Sequence, residues 1–346
     1  MINICITGAT GYTGVDLVRL LSSHSGVNIS SVVSQNYVGE KFSNVYPSLK
    51  GIFDMECSAL NIDEICKEAD IIINALPHGV SKDIIPDFIN KGKRVIDLSA
   101  DFRYRNVQTY EKIYGVTHKA PDLSVNAIYG LPELYRDKIR NASLVANPGC
   151  YPTCSILGIA PLLKNKLINT KGIIIDALSG VSGAGRKLDL GTQFCETTTN
   201  FKAYGVAKHR HTTEIEQEYS LLSNEDIMVS FTPHLIPVNR GMLCTIYTDL
   251  NKATNTNELT EIYKDFYKDE YFVRVCDDSK LPEIKNVAGS NFIDIAVVVD
   301  KRLNKAIALS AQDNLGKGSS SQAVQNLNIM CGFDEKTGLG GPSLYL

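Results

Sequence analysis

Cys150 stands in the run Asn147-Pro148-Gly149-Cys150-Tyr151-Pro152-Thr153, directly after the apolar segment Leu144-Val145-Ala146 and directly before an apolar helical pattern through Ile156, Leu157, Ile159 and Leu162. A Pro-Gly turn between strand and helix places this cysteine at a helix N-terminus. Free amides and the positive end of the helix dipole lower a thiol pKa there and favour the nucleophilic thiolate. The same amides suit a developing oxyanion. The other eight cysteines stand mostly in apolar runs such as Asn3-Ile4-Cys5-Ile6 and Met242-Leu243-Cys244-Thr245, and read as small buried hydrophobes. Cys154, one helical turn past Cys150, reads as packing rather than as a redox partner.

A cysteine that makes and breaks an acyl bond needs a proton acceptor and donor near neutral pH, and imidazole is the best suited. The densest histidine cluster is Lys208-His209-Arg210-His211-Thr212-Thr213-Glu214-Ile215, leading into a helix that Thr212 or Thr213 is placed to cap. His209 and His211 share a face if this segment is extended. A metal site is the weaker reading, because no Asp, Glu or Cys with ligand spacing accompanies the pair, and Glu214 reads as first-turn helix stabilisation. Arg103, Arg186 and Arg240 sit in loops at strand ends, and as a set they point to an anionic substrate, since the guanidinium fork matches carboxylate and phosphate.

The chain opens with Ile2-Asn3-Ile4-Cys5-Ile6-Thr7, then Gly8-Ala9-Thr10-Gly11-Tyr12-Thr13-Gly14, then an amphipathic helix carrying Val15, Val18, Leu20 and Leu21. Strand, glycine turn and helix form a dinucleotide-binding unit. Glycines admit the pyrophosphate, and helix-start amides stabilise its charge. The glycines recur every third residue, unlike the GxGxxG spacing. An NAD-selective site places Asp or Glu after the second strand to hold the ribose hydroxyls. Here Val33-Ser34-Gln35-Asn36 stand in that place, so NADP is favoured, with Ser34 a donor to its 2′-phosphate and Pro77, after the next strand, passing along the cofactor.

The elements that must position these groups follow from periodicity. Apolar runs at 2–7, 27–33, 70–75, 94–98 and 143–146 alternate with helical patterns and predict a parallel, Rossmann-like sheet. After Cys150 the strand candidates lengthen (173–178, 228–233, 242–248, 292–300 and 306–311) with few helices between them, which predicts an α+β domain with a mixed, largely antiparallel sheet. An amphipathic stretch at 319–330 is expected to return to the first domain. The 346 residues therefore divide into an NADP-binding domain, 1–149 with 316–346, and a catalytic and dimerisation domain, 150–315. With 35 basic and 38 acidic side chains interspersed, nucleic acid and anionic membranes are poor partners and a small molecule is the better one. Nine cysteines without regular spacing, and no leader or membrane-length apolar run, predict a cytoplasmic protein.

Taken together, Gly8 to Gly14, Leu98 to Arg103, Asn147 to Thr153, Ser179 to Lys187, His209 to Ile215, Pro233 to Gly241 and Asp313 to Asn328 resemble, in order, the N-acetyl-gamma-glutamyl-phosphate reductase family of the aspartate-semialdehyde dehydrogenase and glyceraldehyde-phosphate dehydrogenase-like superfamily. The resemblance implies that Cys150 is the nucleophile and that the histidine motif supplies acid or base, with His209 chosen and His211 the alternative, orienting substrate. It further implies Arg103, Arg186, Glu196 and Arg240 as substrate holders, and Ser182, Gly183 and Asn314 as cofactor contacts. The implied reaction is NADPH-dependent reduction of an acyl phosphate to an aldehyde through a Cys150 thioester, without a metal, in a homo-oligomer resembling a tetramer. Cys154 stands where that family usually has Gly or Ala, and the second strand lacks the arginine many members carry after its serine. The competing expectations are another acyl-phosphate reductase of the superfamily and a non-catalytic nucleotide sensor, which would need neither Cys150 nor the histidine pair.

Overall fold

The computed structural model describes residues 1–345, which fold into two compact units. The first comprises Met1–Pro148 and Ser319–Gly341. Its strands are β1 (Ile2–Thr7), β2 (Val27–Val33), β3 (Cys57–Ser58), β4 (Ile71–Asn74), β5 (Arg94–Asp97), β6 (Ile128–Tyr129) and β7 (Leu144–Ala146), in the order β3-β2-β1-β4-β5-β7-β6. All pairings are parallel. Ile4, Cys5 and Ile6 on β1 and Ile72 and Ile73 on β4 are wholly buried, as continuous apolar strands covered on both faces must be. The two-residue strands β3 and β6 are too short to show any periodicity in the sequence.

The C-terminal helix Ser321–Cys331 packs into this unit with ten of its eleven residues buried. Its amides tie distant loops together. Asn326 Nδ2 donates to the Gly130 carbonyl (2.9 Å), Asn328 Nδ2 donates to the Glu335 and Thr337 carbonyls, and Asn328 Oδ1 lies 2.9 Å from His24 Nε2. The return begins at Ser319 rather than 316, because Gly318 N donates to Asp313 O and the Asp313 carboxylate takes Leu315 N and Gly316 N, keeping that turn in the second unit. Nor does the first unit keep the last residues. From Pro342 the chain joins the second, where Leu344 N donates to Ala288 O and its side chain lies over Gly289.

The second unit, from Gly149 to Gly318, carries β8 (Ile173–Ser179), β9 (Lys202–Ala203), β10 (Val229–Leu235), β11 (Met242–Asp249), β12 (Val273–Val275), β13 (Ile293–Asp300) and β14 (Lys305–Gln312). Their order is β12-β13-β14-β11-β8-β10-β9. Only β8/β10 and β12/β13 run parallel, so the sheet is mixed and mainly antiparallel. Alternation separates its two faces: along β8, Ile173, Ile175 and Ala177 are buried, whereas Ile174 is exposed and Leu178 half-buried. No helix among the described residues is long and apolar enough to cross a membrane.

The apolar helix Cys150–Lys164 lies on this sheet with thirteen of its fifteen residues buried. Pro161 lacks the N–H that would meet the Leu157 carbonyl four residues back. Tyr267 replaces it, its hydroxyl donating to Leu157 O, while Tyr263 donates to Gly158 O and Tyr219 to Ser155 O. Tyr267→Phe would leave the buried Leu157 carbonyl without that donor, at about 1–3 kcal/mol. Urea denaturation should show the loss, and Pro161→Ala in the same chain should recover part of it by restoring the helical N–H; an unchanged midpoint for Tyr267→Phe would contradict this role.

Candidate active site

Cys150 is the first residue of its helix, with Gly149 extended (φ −69°, ψ 153°) at the cap. No side chain of the cap residue covers the helix start and no acidic residue lies in the first turn. The positive helix end is therefore available to a thiolate and to an oxyanion. The backbone on either side is fixed by two buried side chains. Glu214, wholly buried, accepts the Gly149 N–H at 2.9 Å, and Gln312, wholly buried at the end of β14, donates from Nε2 to the Cys150 carbonyl at 2.9 Å. Behind Cys150, a Cβ on Gly318 would come within 2.8 Å of Cys150 Cβ.

The other thiols contrast with this one. Burial pushes Cys5 up to about 12 and Cys276 up to about 11, and holds Cys244 well above the usual thiol range. Cys154 is buried with its sulfur on Ser310, 3.2 Å from the carbonyl and 3.3 Å from the hydroxyl. None of the nine cysteines forms a disulfide. The exposed Cys195 departs from the buried pattern expected of the other cysteines.

The histidines come from a tight turn rather than an extended segment. His209 precedes the helix His211–Ser223, whose cap residue is Arg210, so Thr212 and Thr213 lie inside the first turn instead of capping it. His209 Nδ1 accepts the His211 N–H at 3.1 Å. Its ring lies 4.9 Å from that of His211 and 5.3–5.6 Å from those of Phe231, Tyr204 and Tyr151, centroid to centroid. Tyr151 follows Cys150 directly and its hydroxyl lies 3.0 Å from that of Tyr204. Burial, assisted by the Arg210 charge, pushes the His209 pKa down to about 4.

A loop cluster gathers several expected contacts. Arg240 pairs with the buried Asp313 at 2.8 Å. Asn314 is buried, its Nδ2 donating to Ser182 Oγ (2.9 Å) and its Oδ1 accepting Gly241 N–H (2.8 Å), so its amide fixes the Ser182–Gly183 turn. Arg186 and Glu196 are exposed on the same unit. Arg103 is buried and directs Nε to the Asn147 carbonyl and Nη2 to the Leu98 carbonyl, both at 2.8 Å, so it holds the segment leading to Cys150. Among the described residues, no three His, Cys, Asp or Glu converge as metal ligands.

In the first unit, Gly8 has φ +70°, and a Cβ there would lie 2.4 Å from the Ala75 carbonyl oxygen; a Cβ on Gly14 would lie 2.4 Å from Ala9 O. A Cβ on Gly11 would meet only Gly8 O, at an ordinary contact of 3.5 Å, and this glycine stands at the start of helix Tyr12–Leu21, which has neither a side-chain cap nor a first-turn acid. These residues fit a dinucleotide pyrophosphate. Thr13 Oγ1 lies 3.2 Å from Ser319 Oγ, and Pro77 and Tyr12 are exposed. Ser34 is buried with its hydroxyl 2.8 Å from Thr10 Oγ1, so it buttresses the loop. A buried chain absent from the sequence reading links three strand ends: Thr7 Oγ1 donates to Asn74 Oδ1, and Asn74 Nδ2 and Ser99 Oγ donate to Asp97, whose carboxyl burial and Asp101 push up to about 6.

Residues 3–142 match the family model of the semialdehyde dehydrogenase NAD binding domain, and residues 150–314 that of the semialdehyde dehydrogenase dimerisation domain. Over its whole length the chain is 60% identical to the N-acetyl-gamma-glutamyl-phosphate reductase of Acetivibrio thermocellus, covering 100% of both. It belongs to the N-acetyl-gamma-glutamyl-phosphate reductase family. A member from Pelotomaculum thermopropionicum is 52% identical, with 99% of both chains covered. Aspartate semialdehyde dehydrogenase II of Vibrio cholerae, solved with ASA, shares the fold at TM-score 0.72 and 18% identity, covering 96% of this chain and 98% of that one. The Candida albicans aspartate semialdehyde dehydrogenase, solved with NADP, does so at 0.71 and 14%, with the same coverage.

The depressed His209 pKa sets a pH dependence of stability. The neutral ring is favoured in the folded chain, so its contribution is complete above about pH 6.5 and is lost as pH falls through about 4. His209→Gln should remove that part of the acid sensitivity, measured as urea midpoints at pH 7 and pH 5; equal acid sensitivity in the two proteins would contradict the assignment.

Proposed function

We propose that the Cys150 thiolate at the open helix start carries the reaction of this family, the reductive dephosphorylation of N-acetyl-L-glutamyl 5-phosphate to N-acetyl-L-glutamate 5-semialdehyde, a step of arginine biosynthesis. The single observation that carries this reading is a half-buried cysteine at an uncapped helix N-terminus, with its flanking peptides fixed by Glu214 and Gln312. The thiolate attacks the acyl carbon, and the carbon–oxygen bond to phosphate breaks, so the acyl group becomes a thioester and phosphate departs with a proton. The Gly8–Gly14 loop would hold NADPH, which would supply the hydride for reduction of this thioester. Collapse of the Cys150 thiohemiacetal anion then releases aldehyde and restores the thiolate. Helix-start amides stabilise the oxyanion in both halves.

Within this reading, Met1–Pro148 with Ser319–Gly341 is the NADP-binding domain and the unit from Gly149 to Gly318 the catalytic and dimerisation domain. The pair His209 and His211 supplies the imidazoles that serve the Cys150 chemistry, and Arg240 and the exposed Arg186 and Glu196 serve substrate binding, with Ser182 and Gly183 a turn near the cofactor. Selection of NADP over NAD follows from the absence of a carboxylate after β2, where Ser34, Gln35 and Asn36 stand. A second copy of the chain is proposed to cover the outward face of the second sheet, where the exposed Ile174 and half-buried Leu178 of β8 pair with Tyr247 and Leu243 of β11. Nine cysteines without a disulfide fit a cytoplasmic setting.

The test supplies purified protein with N-acetyl-L-glutamate semialdehyde, phosphate and NADP and follows the absorbance of reduced nicotinamide. The parent should turn over and Cys150→Ala should lose on the order of 10⁴-fold or more. No signal from the parent, or activity persisting in Cys150→Ala, would sink the assignment.

A further inference from the structure

His209 occupies a helix start in an unusual way. The first N–H groups of a helix have no partner within it. At the helix His211–Ser223 the cap residue Arg210 provides no side-chain bond, and the His211 N–H is instead directed at His209 Nδ1, 3.1 Å away. A ring nitrogen that accepts a backbone N–H holds no proton of its own. The single proton of the neutral imidazole is then on Nε2. Everything around the ring opposes a second one. Tyr151, Tyr204, His211 and Phe231 surround it with ring faces and edges, both sequence neighbours, Lys208 and Arg210, are cationic, and the N-terminal end of the helix contributes positive potential. The turn that presents it is fixed too. Gly205 (φ +57°) has room for a Cβ only 3.3 Å from the His209 ring, Ala207 also takes positive φ (57°), and Lys208 N donates to Gly205 O.

We propose that His209 acts as a neutral hydrogen-bond donor through Nε2–H to the oxyanion formed on the acyl carbon, and does not gain or lose a proton during turnover. The inference rests on the Cys150 thioester reading and deepens it. An acid or base at Nε2 cycles between the neutral ring and imidazolium with a proton kept on Nδ1 throughout, and the His211 amide, directed at the Nδ1 lone pair, leaves no place for that proton for as long as the turn is intact. A neutral imidazole poised on a helix N-terminus is a known means of stabilising an oxyanion without proton transfer. The one proton that the overall reduction consumes ends on the departing phosphate, so it comes from another group. His211, whose ring lies 4.9 Å from that of His209, is the adjacent imidazole.

The test needs no turnover for its first arm. The full-length protein, labelled with ¹⁵N-histidine, is examined by long-range ¹H–¹⁵N correlation from pH 8 to pH 5, with His209→Gln identifying the signal. The expected result is a single neutral tautomer protonated on Nε2 across the range. A proton on Nδ1, or conversion to imidazolium near pH 6.5, would overturn the proposal whatever the enzyme's activity. The second arm compares His209→Gln, which keeps a donor but has no titratable proton, with His209→Ala. Gln should lose about 10-fold in kcat and Ala about 10²–10³-fold, with little change in KM and with the parent's pH profile retained. Equal losses in both variants together with disappearance of one limb of the pH profile would show proton transfer by His209 instead. Absence of activity in the parent would refute the assigned reaction while leaving the tautomer result intact.

Discussion

The Gly149–Cys150 peptide is the point on which the rest of the second unit depends. It must present a thiol to the positive end of a helix, yet a helix start left open to ligand has unsatisfied amides and little to hold its backbone. Glu214 and Gln312 resolve that conflict from outside the helix, one taking the amide before Cys150 and the other giving to its carbonyl. Both side chains are wholly buried. The helix behind them is likewise tied from outside, by three tyrosine hydroxyls on its carbonyls, one of which Pro161 leaves without a helical donor. Such anchoring lets one end of the helix remain chemically open while the rest is rigid.

The same economy links Cys150 to the histidines. Glu214 is in the first turn of the helix that begins at His211, so the element that fixes the Gly149 amide also fixes the turn bearing His209. Tyr151 extends the link, its ring against both imidazoles and its hydroxyl on Tyr204. Cys150 and the two imidazoles are thus positioned by one continuous set of contacts within the unit. Asp313 and Asn314 do comparable work for the loops, joining Arg240, Gly241, Ser182, Gly289 and Gly316 through two buried side chains.

Much of this was legible in the sequence where local chemistry decides structure. The strands of the parallel sheet, the glycine turn and the cysteine at a helix start followed from apolar runs, glycine spacing and a Pro-Gly turn, because each depends on neighbours in the chain. What escaped depends on distant partners. Glu214 lies 65 residues from the amide it holds and Gln312 lies 162 from its carbonyl, and neither spacing leaves a trace in periodicity. Arg103 reads from its type as an anion binder, and its guanidinium bonds to the Asn147 and Leu98 carbonyls, like the bonds by which Ser34 and Asn314 support loops, are not revealed by residue type alone. The histidine pair was read as sharing the face of an extended segment, whereas the turn at Gly205 and Ala207 and the Nδ1 bond set its geometry.

Acylation of Cys150 is the step on which the proposed reaction stands. The direct measurement is intact-protein mass spectrometry after brief mixing with N-acetyl-L-glutamyl 5-phosphate without NADPH, followed by peptide mapping under acidic conditions that preserve a thioester. The account predicts one N-acetylglutamyl adduct on the Cys150 peptide, discharged when NADPH is added. An adduct on a different residue, or turnover with no adduct on Cys150 in rapidly quenched samples, would contradict it.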